Sequence, residues 1–400
     1  MTGRPVMGSV MGNTATAAGA ATTAADTATP RPGPYISTWS AVSAFGIGRV
    51  EFSEGVRRRE PALTGLGPDE GPAAMARAGL VPNGEPRALL GRKGTRSMDR
   101  ATGLAVAAVG RLLDDGTGGR IDGLDDNTAL VLGTSNGSVR SIMSFTRDAL
   151  TEDKPYFVDP ARFPNTVMNC AAGQSAIRHG LRGPNVTVAG GRASALLALN
   201  HARRLQRSGR ARSVVCGAVE EYSPERAWLD WHAQGGRQAP VIGEGSAVLL
   251  LESLESATAG DRAALAELAA VRTALPAHEA DIATVLATCL RQSLTAAGIV
   301  ASDVWAVAPT GVRGDLGAYE RAGLADVFAG RVPREVVCSE LLGDTYAASA
   351  AFQIVSLLSL AERDADAAGR AGLVTTVDAD GVVGCAVLLF PHRATTDQRP

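Results

Sequence analysis

One segment of the sequence combines the residue types and the spacing of a nucleophilic site. Residues 133–137 read GTSNG, which fits the pattern G-x-S-x-G, between a predicted strand and a helix predicted to begin near Val139. In that context the pattern is typical of the turn that presents the serine of an α/β-hydrolase, here Ser135. A glycine-rich turn is also ordinary in α/β proteins, and His278 and His392 stand in weak contexts for a triad base. Ser135 is therefore a candidate nucleophile, with a purely structural turn as the alternative.

The other residues suited to nucleophilic or metal chemistry are dispersed along the chain. None of the five cysteines forms a C-x-x-C pair, and no two of the five histidines stand at metal-ligand spacing. This pattern predicts buried, reduced thiols, because disulfide frameworks and zinc sites need paired spacing. Glycine-rich phosphate loops are also missing, so we expect neither a metal nor a nucleotide cofactor. The residues concerned are Cys170, Cys216, Cys289, Cys338, Cys385, His179, His201, His232, His278 and His392.

The charge balance excludes several classes of partner. The 400 residues include 39 Lys and Arg against 41 Asp and Glu, which leaves a net charge of −2. Without a basic field, binding to nucleic acid or to an anionic membrane surface is not expected. The apolar runs are shorter than the roughly 20 residues that span a bilayer. We therefore expect a cytoplasmic protein with no membrane and no nucleic-acid partner.

The elements that must position any site alternate between strand and helix. The predicted strands cover residues 35–42, 128–132, 185–188, 213–219, 246–251, 304–308, 335–339, 372–377 and 382–390. The predicted helices cover residues 99–113, 194–206, 281–297 and 345–360. Such alternation indicates a layered α/β fold whose central strands are mostly parallel.

The element order predicts three segments. Residues 1–34 are rich in Ala and Thr and end in several prolines, so we expect a disordered tail. The same succession of elements recurs in residues 35–255 and in residues 256–400. The chain is therefore predicted to contain two halves related by an internal duplication, with the boundary near residues 253–261.

A longer stretch of the sequence resembles a known family. Residues 163–202 include the segments FPNTV and AAGQSAIRHGLRGPNVTV. Three further segments, VSAFG, GEGSAVL and GDT, occur at residues 42–46, 243–249 and 343–345. These segments resemble the β-ketoacyl-ACP synthases of the thiolase superfamily, and most closely the chain length factor subunits of type II polyketide synthases. The resemblance implies a thiolase fold, with duplicated βαβαβαββ halves in a layered α-β-α-β-α sandwich.

The catalytic positions that the resemblance implies are occupied by the wrong residues. A working ketosynthase uses a cysteine at the start of a buried helix together with two histidines. Aligned on residues 182–184, the cysteine position falls on Arg192, and the two histidine positions fall on Pro309 and Asp344. Residues 377–381 replace the Gly-Phe-Gly turn of the family. The resemblance therefore implies a degenerate 3-oxoacyl-ACP synthase that is inactive alone.

The vacated positions carry opposite charges. In a ketosynthase the cysteine and the second histidine face each other across the pocket, so Arg192 and Asp344 should meet here. An unpaired arginine at a helix N-terminus is disfavoured by the helix dipole and by burial. We predict an ion pair between Arg192 and Asp344 that plugs the pocket. The alternative is that Arg192 turns toward Glu220, Glu221 or solvent.

The resemblance also implies partners. A chain length factor forms a heterodimer with a catalytic ketosynthase, in which one strand of each subunit pairs across the interface. The interface strand would consist of Asn185, Val186, Thr187 and Val188. An acyl carrier protein would deliver substrate on its own phosphopantetheine, so this chain itself would need no cofactor.

The helix after the GTSNG turn is the predicted wall of a polyketide tunnel. The family's tunnel positions fall on Met143, Thr146 and Leu150, whose spacing places them on one helical face. Without a two-residue shift in the alignment, the positions would instead be Ser141, Ser144 and Asp148. The same stripe could also pack into an ordinary core.

Three functions follow as expectations. The first is a non-catalytic chain length factor in type II polyketide biosynthesis, aromatic or polyene. The second is a scaffold that binds acyl carrier protein without forming a tunnel. The third is a stand-alone acyltransferase or hydrolase that uses Ser135 or another site. The excess of Arg over Lys and the many alanines are associated with actinobacteria and their antibiotic biosynthesis.

Overall fold

The strands consist largely of Val, Leu and Ala, as expected for a sheet that is covered on both faces. The computed structural model describes residues 34–125, 127–236 and 241–392. The strands within these residues are β1 (Tyr35–Ser43), β2 (Gly46–Ile47), β3 (Thr64–Gly65), β4 (Arg77–Ala78), β5 (Ala129–Thr134), β6 (Asn185–Ala189), β7 (Ser213–Glu220), β8 (Gly245–Glu252), β9 (Ala266–Ala274), β10 (Val304–Ala308), β11 (Arg334–Glu335), β12 (Ala371–Val377) and β13 (Val383–Leu389). The predicted tail lies outside the described residues except for Pro34, which is buried.

The helices within the same residues range from one turn to four. They are α1 (Arg49–Arg58), α2 (Pro86–Leu90), α3 (Arg100–Leu113), α4 (Val139–Thr151), α5 (Cys170–His179), α6 (Ser194–Arg207), α7 (Pro224–Ala233), α8 (Leu254–Ala259), α9 (Ile282–Ala296), α10 (Gly314–Val327), α11 (Cys338–Leu342) and α12 (Ser349–Ala361). None of these described helices combines the length and the hydropathy that a membrane span requires.

The main sheet contains the same strand order twice. One set runs β6-β5-β7-β8-β1 and the other runs β11-β10-β12-β13-β9. In the first set β5 is parallel to β6 and β7, and the remaining neighbours are antiparallel. In the second set β10 is parallel to β11 and β12, and the remaining neighbours are again antiparallel. All strands of the first set lie within residues 35–255 and all strands of the second within 256–400, as the predicted duplication requires.

Side chains alternate between the two faces of each strand and so define the layers. In β5, Val131 packs in the cluster formed with α6 and α12, whereas Leu130 packs with α3 and α5. In β12, Val374 joins the cluster with α6 and α12, whereas Leu373 packs with α9 and α10. Helices α6 and α12 are therefore the middle layer between the two halves of the main sheet, and the predicted α-β-α-β-α sandwich is confirmed.

Two predicted elements differ from those observed. Residues 335–339 do not form a strand, because the edge strand β11 ends at Glu335 and α11 follows, burying Cys338 and Leu342. The predicted helix over residues 345–360 begins later, at Ser349, after a 3₁₀ turn over Tyr346–Ala348. Both differences lie at the turns that lead into the middle layer.

Candidate functional site

Two turns that introduce the middle helices meet in the interior. A 3₁₀ turn over Gly191–Ala193 joins β6 to α6, and it contains Arg192. The segment between α11 and the 3₁₀ turn Tyr346–Ala348 contains Asp344 and leads into α12. Helices α6 and α12 lie side by side in the middle layer, so their N-terminal ends are close to each other. The turns that precede these ends therefore bring Arg192 and Asp344 together.

Arg192 and Asp344 form a two-pronged ion pair. Nη1 of Arg192 donates to Oδ1 of Asp344 at 2.5 Å, and Nη2 donates to Oδ2 at 2.6 Å. The two side chains are only 13% and 22% exposed. Parallel hydrogen bonds between a guanidinium and a carboxylate are the strongest geometry available to this pair. The ion pair predicted from the sequence is therefore confirmed, and the alternative contacts of Arg192 with Glu220 or Glu221 are not formed.

Each member of the pair stabilises the charge of the other. Burial by itself would lower the pKa of Arg192, but the Asp344 carboxylate beside it raises that pKa above its ordinary value. Burial would raise the pKa of Asp344, but the Arg192 guanidinium outweighs it, with help from Arg226, and lowers that pKa. Both groups are therefore charged at neutral pH.

A second carboxylate binds the backbone of Arg192. Oδ2 of Asp378 accepts the Arg192 N–H at 2.6 Å, and Asp378 is only 1% exposed. Gly191 makes this approach possible: its φ is +54°, and a β-carbon there would lie 1.9 Å from the same carboxylate oxygen. The N–H that a ketosynthase would offer to a thioester oxygen therefore already has an internal acceptor.

An aromatic ring covers the same guanidinium. The Arg192 Cζ lies 4.6 Å from the ring centroid of Tyr346, within range for a cation–π contact. Tyr346 has a φ of +43°, in the left-handed region that a bulky residue rarely adopts. Its N–H donates to Oδ1 of Asp344 at 3.0 Å, which holds the turn in place. The contacts of Tyr346 and Asp378 with Arg192 were not predicted from the sequence, which indicated only that residues 377–381 replace the Gly-Phe-Gly turn.

The third residue that the sequence predicts at a catalytic position of the family is Pro309. Pro309 is buried directly after β10 and has neither an N–H nor an ionisable side chain. All five cysteines are free thiols, four of them buried and Cys170 half-buried. The hydrogen-bond partners of four of them lie outside the cluster of Arg192 and Asp344: Cys170 contacts Thr102 and Asn165, Cys289 contacts Cys385, and Cys338 contacts Ser356. Within the described residues, the cluster thus presents no thiol or imidazole for acyl transfer.

Ser135 does not sit in a catalytic triad. The residue follows β5 in a turn before α4, as predicted. Its side chain forms a hydrogen bond with the buried Glu220. Burial raises the pKa of Glu220, and the bond from Ser135 offsets part of that rise. Among the described residues no histidine forms a hydrogen bond with Ser135. His179 instead bonds the Val106 carbonyl, and His232 stacks on Trp228. Within the described part of the chain, the structure therefore places no histidine base beside Ser135, and the ionisable group that contacts it is the carboxyl group of Glu220.

The predicted tunnel residues lie on an outward face of α4. Met143 is 45% exposed and Leu150 is 79% exposed, and Thr146 between them is also exposed. The alternative residues Ser141, Ser144 and Asp148 are half-buried. The three predicted residues do share one face, but in this chain alone that face is open. Their role as a tunnel wall stays a prediction.

The predicted interface strand is an edge strand. β6 ends the strand order and pairs only with β5 among the described strands, with Asn185 exposed and the next three residues half-buried. An edge strand leaves a row of backbone N–H and C=O groups available to another chain.

Exposed apolar side chains concentrate in the connection between β5 and β6. Eight of the large apolar side chains that are exposed in the described residues occur there, although single exposed apolar residues are common on protein surfaces. They are Met143, Leu150, Tyr156, Phe157, Phe163, Val167, Met168 and Ile177. The corresponding connection in the second half, between β10 and β11, contains none of the exposed residues of this kind. These residues, 143–177, form an apolar surface, and its last helix, α5, contacts β6 where Nδ2 of Asn185 donates to the Ala172 carbonyl at 3.0 Å.

Comparisons with known proteins agree with this architecture. A family model described as "Beta-ketoacyl synthase, N-terminal domain" matches residues 70–257. The 3-oxoacyl-[acyl-carrier-protein] synthase 2 of Vibrio harveyi is 29% identical over 214 residues, which is 48% of this chain and 50% of that protein. The enzyme of the same name from Rhizobium meliloti is 28% identical over 242 residues, or 53% and 56% of the two chains. The chain therefore spans about half the length of the curated relatives it matches.

Solved structures match over a larger part of the chain. The ishigamide ketosynthase/chain length factor has a TM-score of 0.84 and 42% identity, covering 90% of this chain and 99% of that one. A β-ketoacyl synthase from Burkholderia phymatum has a TM-score of 0.77 and 20% identity, covering 90% and 100%. A type II polyketide synthase acyl-carrier protein in complex with its ketosynthase gives a TM-score of 0.76 at 18% identity, with coverage of 90% and 100%. The last two likenesses concern the fold alone.

Proposed function

The chain belongs to the β-ketoacyl synthase family, and we propose that within it the protein is a non-catalytic chain length factor. In this role it pairs with a catalytic ketosynthase and shapes the tunnel into which a polyketide grows during condensation of carrier-bound malonyl units. The observation that carries the proposal is the ion pair between Arg192 and Asp344. The sequence alignment assigns these two residues to the positions of the family's nucleophile and second histidine, and the bidentate pair between them supports a non-catalytic role.

Loss of the catalytic residues argues against condensation by this chain alone. Claisen condensation needs a nucleophile to hold the acyl chain and donors that stabilise the developing oxyanion. Here the guanidinium of Arg192 is no nucleophile, and its backbone N–H already binds Asp378 at 2.6 Å. The proposed role therefore depends on a second subunit that supplies the chemistry.

The surface supports the presence of that subunit. The free edge of β6 offers main-chain hydrogen bonds, and the apolar surface of residues 143–177 offers area to bury. The relative with 42% identity is described as a ketosynthase/chain length factor, which is the pairing proposed for this chain. An acyl carrier protein, carrying substrate on its phosphopantetheine, would be the second partner.

Co-expression with a candidate catalytic ketosynthase tests the proposal. We expect the two chains to co-purify as a 1:1 complex that elongates carrier-bound substrates, while this chain alone remains inert. A useful control is the complex in which the nucleophilic cysteine of the partner ketosynthase is replaced, which should abolish condensation entirely. A stable homodimer that ignores the ketosynthase yet turns over an acyl thioester would contradict the proposal.

A further inference from the structure

One buried carboxyl group joins the N-terminal ends of two helices. Oε1 of Glu221 accepts from the Ser138 hydroxyl at 3.0 Å and from the Arg140 N–H at 3.2 Å, at the start of α4. The second oxygen, Oε2, accepts the Ala101 N–H at 3.3 Å, in the first turn of α3. Glu221 is 1% exposed. The first N–H groups of a helix have no partner within the helix, so a single side chain here satisfies donors of both.

Beyond its first turn, α4 is held at its exposed side, where Arg162 donates to Oδ2 of Asp148 at 3.2 Å and Phe145 packs against Phe163. Val139 is its only buried residue, and the rest of the helix is half-buried or exposed. Ser138 caps the helix by accepting the Ser141 N–H at 3.1 Å, and its own hydroxyl proton goes to Glu221. The position of α4 in the isolated chain therefore depends strongly on its first turn.

Glu221 is itself held in a rigid place. It follows directly after β7, whose residues are all buried between β5 and β8. Burial, and then the nearby Asp99, raise the pKa of Glu221 to about 8, so the group favours its neutral form at pH 7. A neutral carboxyl group has the shape and the acceptor oxygen of a glutamine side chain. This equivalence makes Gln the matched conservative replacement.

We propose that Glu221 is a positioning residue that orients α4 through Ser138 and Arg140 and thereby helps to determine product length. This inference rests on the proposed function, because it requires α4 to line the polyketide tunnel. Glu221 does not touch substrate. It fixes the direction of the helix axis, and hence the distance that Met143, Thr146 and Leu150 reach into a tunnel.

The experiment compares two replacements at one position. Glu221→Ala removes the acceptor for three donors, whereas Glu221→Gln retains one acceptor oxygen of the same shape. Glu320→Ala is the control, because Glu320 is also buried and accepts the Thr310 N–H at 2.9 Å, but it belongs to α10 and does not contact α4. Ser138→Ala is a second, milder variant that keeps the proposal testable if Glu221→Ala does not fold.

Each variant is studied in complex with the catalytic ketosynthase, by hydrogen exchange and by the lengths of the polyketides formed. We expect Glu221→Ala to speed amide exchange in the first turn of α4 by about tenfold or more and to change the product lengths. Glu221→Gln should restore both toward the unsubstituted protein, Ser138→Ala should act in the same direction, and Glu320→Ala should leave product length unchanged.

The outcomes separate this inference from the proposed function. Unchanged exchange in α4, or unchanged product length despite faster exchange, would overturn the role of Glu221. An equal change of product length in Glu320→Ala would also overturn it, because general destabilisation would then suffice. If bulky residues at Thr146 alter product length but Glu221→Ala does not, only this inference fails. If the unsubstituted complex forms no product, the proposed function fails, and the inference falls with it.

Discussion

At the scale of single residues, three separate contacts hold Arg192 in the interior. The guanidinium of Arg192 binds Asp344, its backbone N–H binds Asp378, and the ring of Tyr346 covers it. A buried charge costs free energy unless it is paired and hydrogen-bonded. The three contacts together meet that requirement for Arg192.

We expect Arg192→Ala to lower the free energy of unfolding by roughly 3 kcal/mol, because it leaves the Asp344 carboxylate without its partner in a mostly buried site. Urea denaturation at pH 7 measures the effect. The matched control is Arg291→Ala, which breaks a pair with Asp326 whose side chains are 51% and 57% exposed and should cost little. The double replacement of Arg192 and Asp344 by Ala should cost less than Arg192→Ala alone. A single replacement no more costly than the control would contradict this account.

The same ion pair should make the free energy of unfolding depend on pH. The pKa of Asp344 is lower in the folded chain than its ordinary value, so the folded state binds fewer protons than the unfolded state in acid. The stabilisation from Asp344 is therefore present above about pH 4, its unfolded pKa, and is lost as the pH falls through its folded pKa. Since Arg192 causes this lowering, Arg192→Ala should weaken the acid dependence.

Part of this site was accessible from the sequence and part was not. Alignment on residues 182–184 assigned Arg192 and Asp344 to facing positions, and opposite charges at such positions predict a pair. The bond from Asp378 and the cover from Tyr346 were not foreseen, because they depend on positive φ angles at Gly191 and Tyr346. Backbone conformations of this kind arise from tertiary packing and leave no periodic pattern.

At the scale of elements, apolar runs identified the middle helices and most of the long strands, because burial on both faces leaves an unbroken apolar sequence. The nine-residue strand β9 was not predicted, since charged residues interrupt its sequence AELAAVRTA. The prediction made the edge strand β11 too long. The strand pairs with β10 at only two positions, and its sequence continues into the apolar helix α11. Helix α5 was not foreseen, since it mixes small and polar residues over ten positions. Helix α4 was predicted, but the spacing of Met143, Thr146 and Leu150 did not show that this face of the helix is exposed.

Helix α4 provides the test of the tunnel. We expect Thr146→Trp to shorten the polyketides made by the complex, because a larger side chain on the predicted tunnel face takes up space that the growing chain would occupy. The measurement is the mass distribution of products formed with the catalytic ketosynthase. Val300→Trp is the control, since Val300 is 62% exposed in the second half of the chain and lies outside α4. Unaltered products from Thr146→Trp would favour a scaffold role or the face formed by Ser141, Ser144 and Asp148.

At the scale of the whole molecule, the two halves share a topology but differ in their surfaces. The connection between β5 and β6 covers residues 135–184, twice the length of the connection over residues 309–333 between β10 and β11. The longer connection carries the apolar surface of residues 143–177, and its helix α5 contacts β6. A duplicated fold with only one such surface is suited to a single partner bound through its first half.

Ile177→Arg tests where that partner binds. Ile177 is 77% exposed on α5, so the substitution removes no core packing and should leave the chain folded with nearly unchanged thermal stability. If α5 lies in the interface, a charged guanidinium there would be buried without a partner, and co-purification with the ketosynthase should be lost. Val300→Arg is the matched control, because Val300 is 62% exposed in the second half and lies outside the apolar surface. Loss of binding in Ile177→Arg alone would locate the partner on residues 143–177. Loss in both variants, or in neither, would mean that this surface does not determine the pairing.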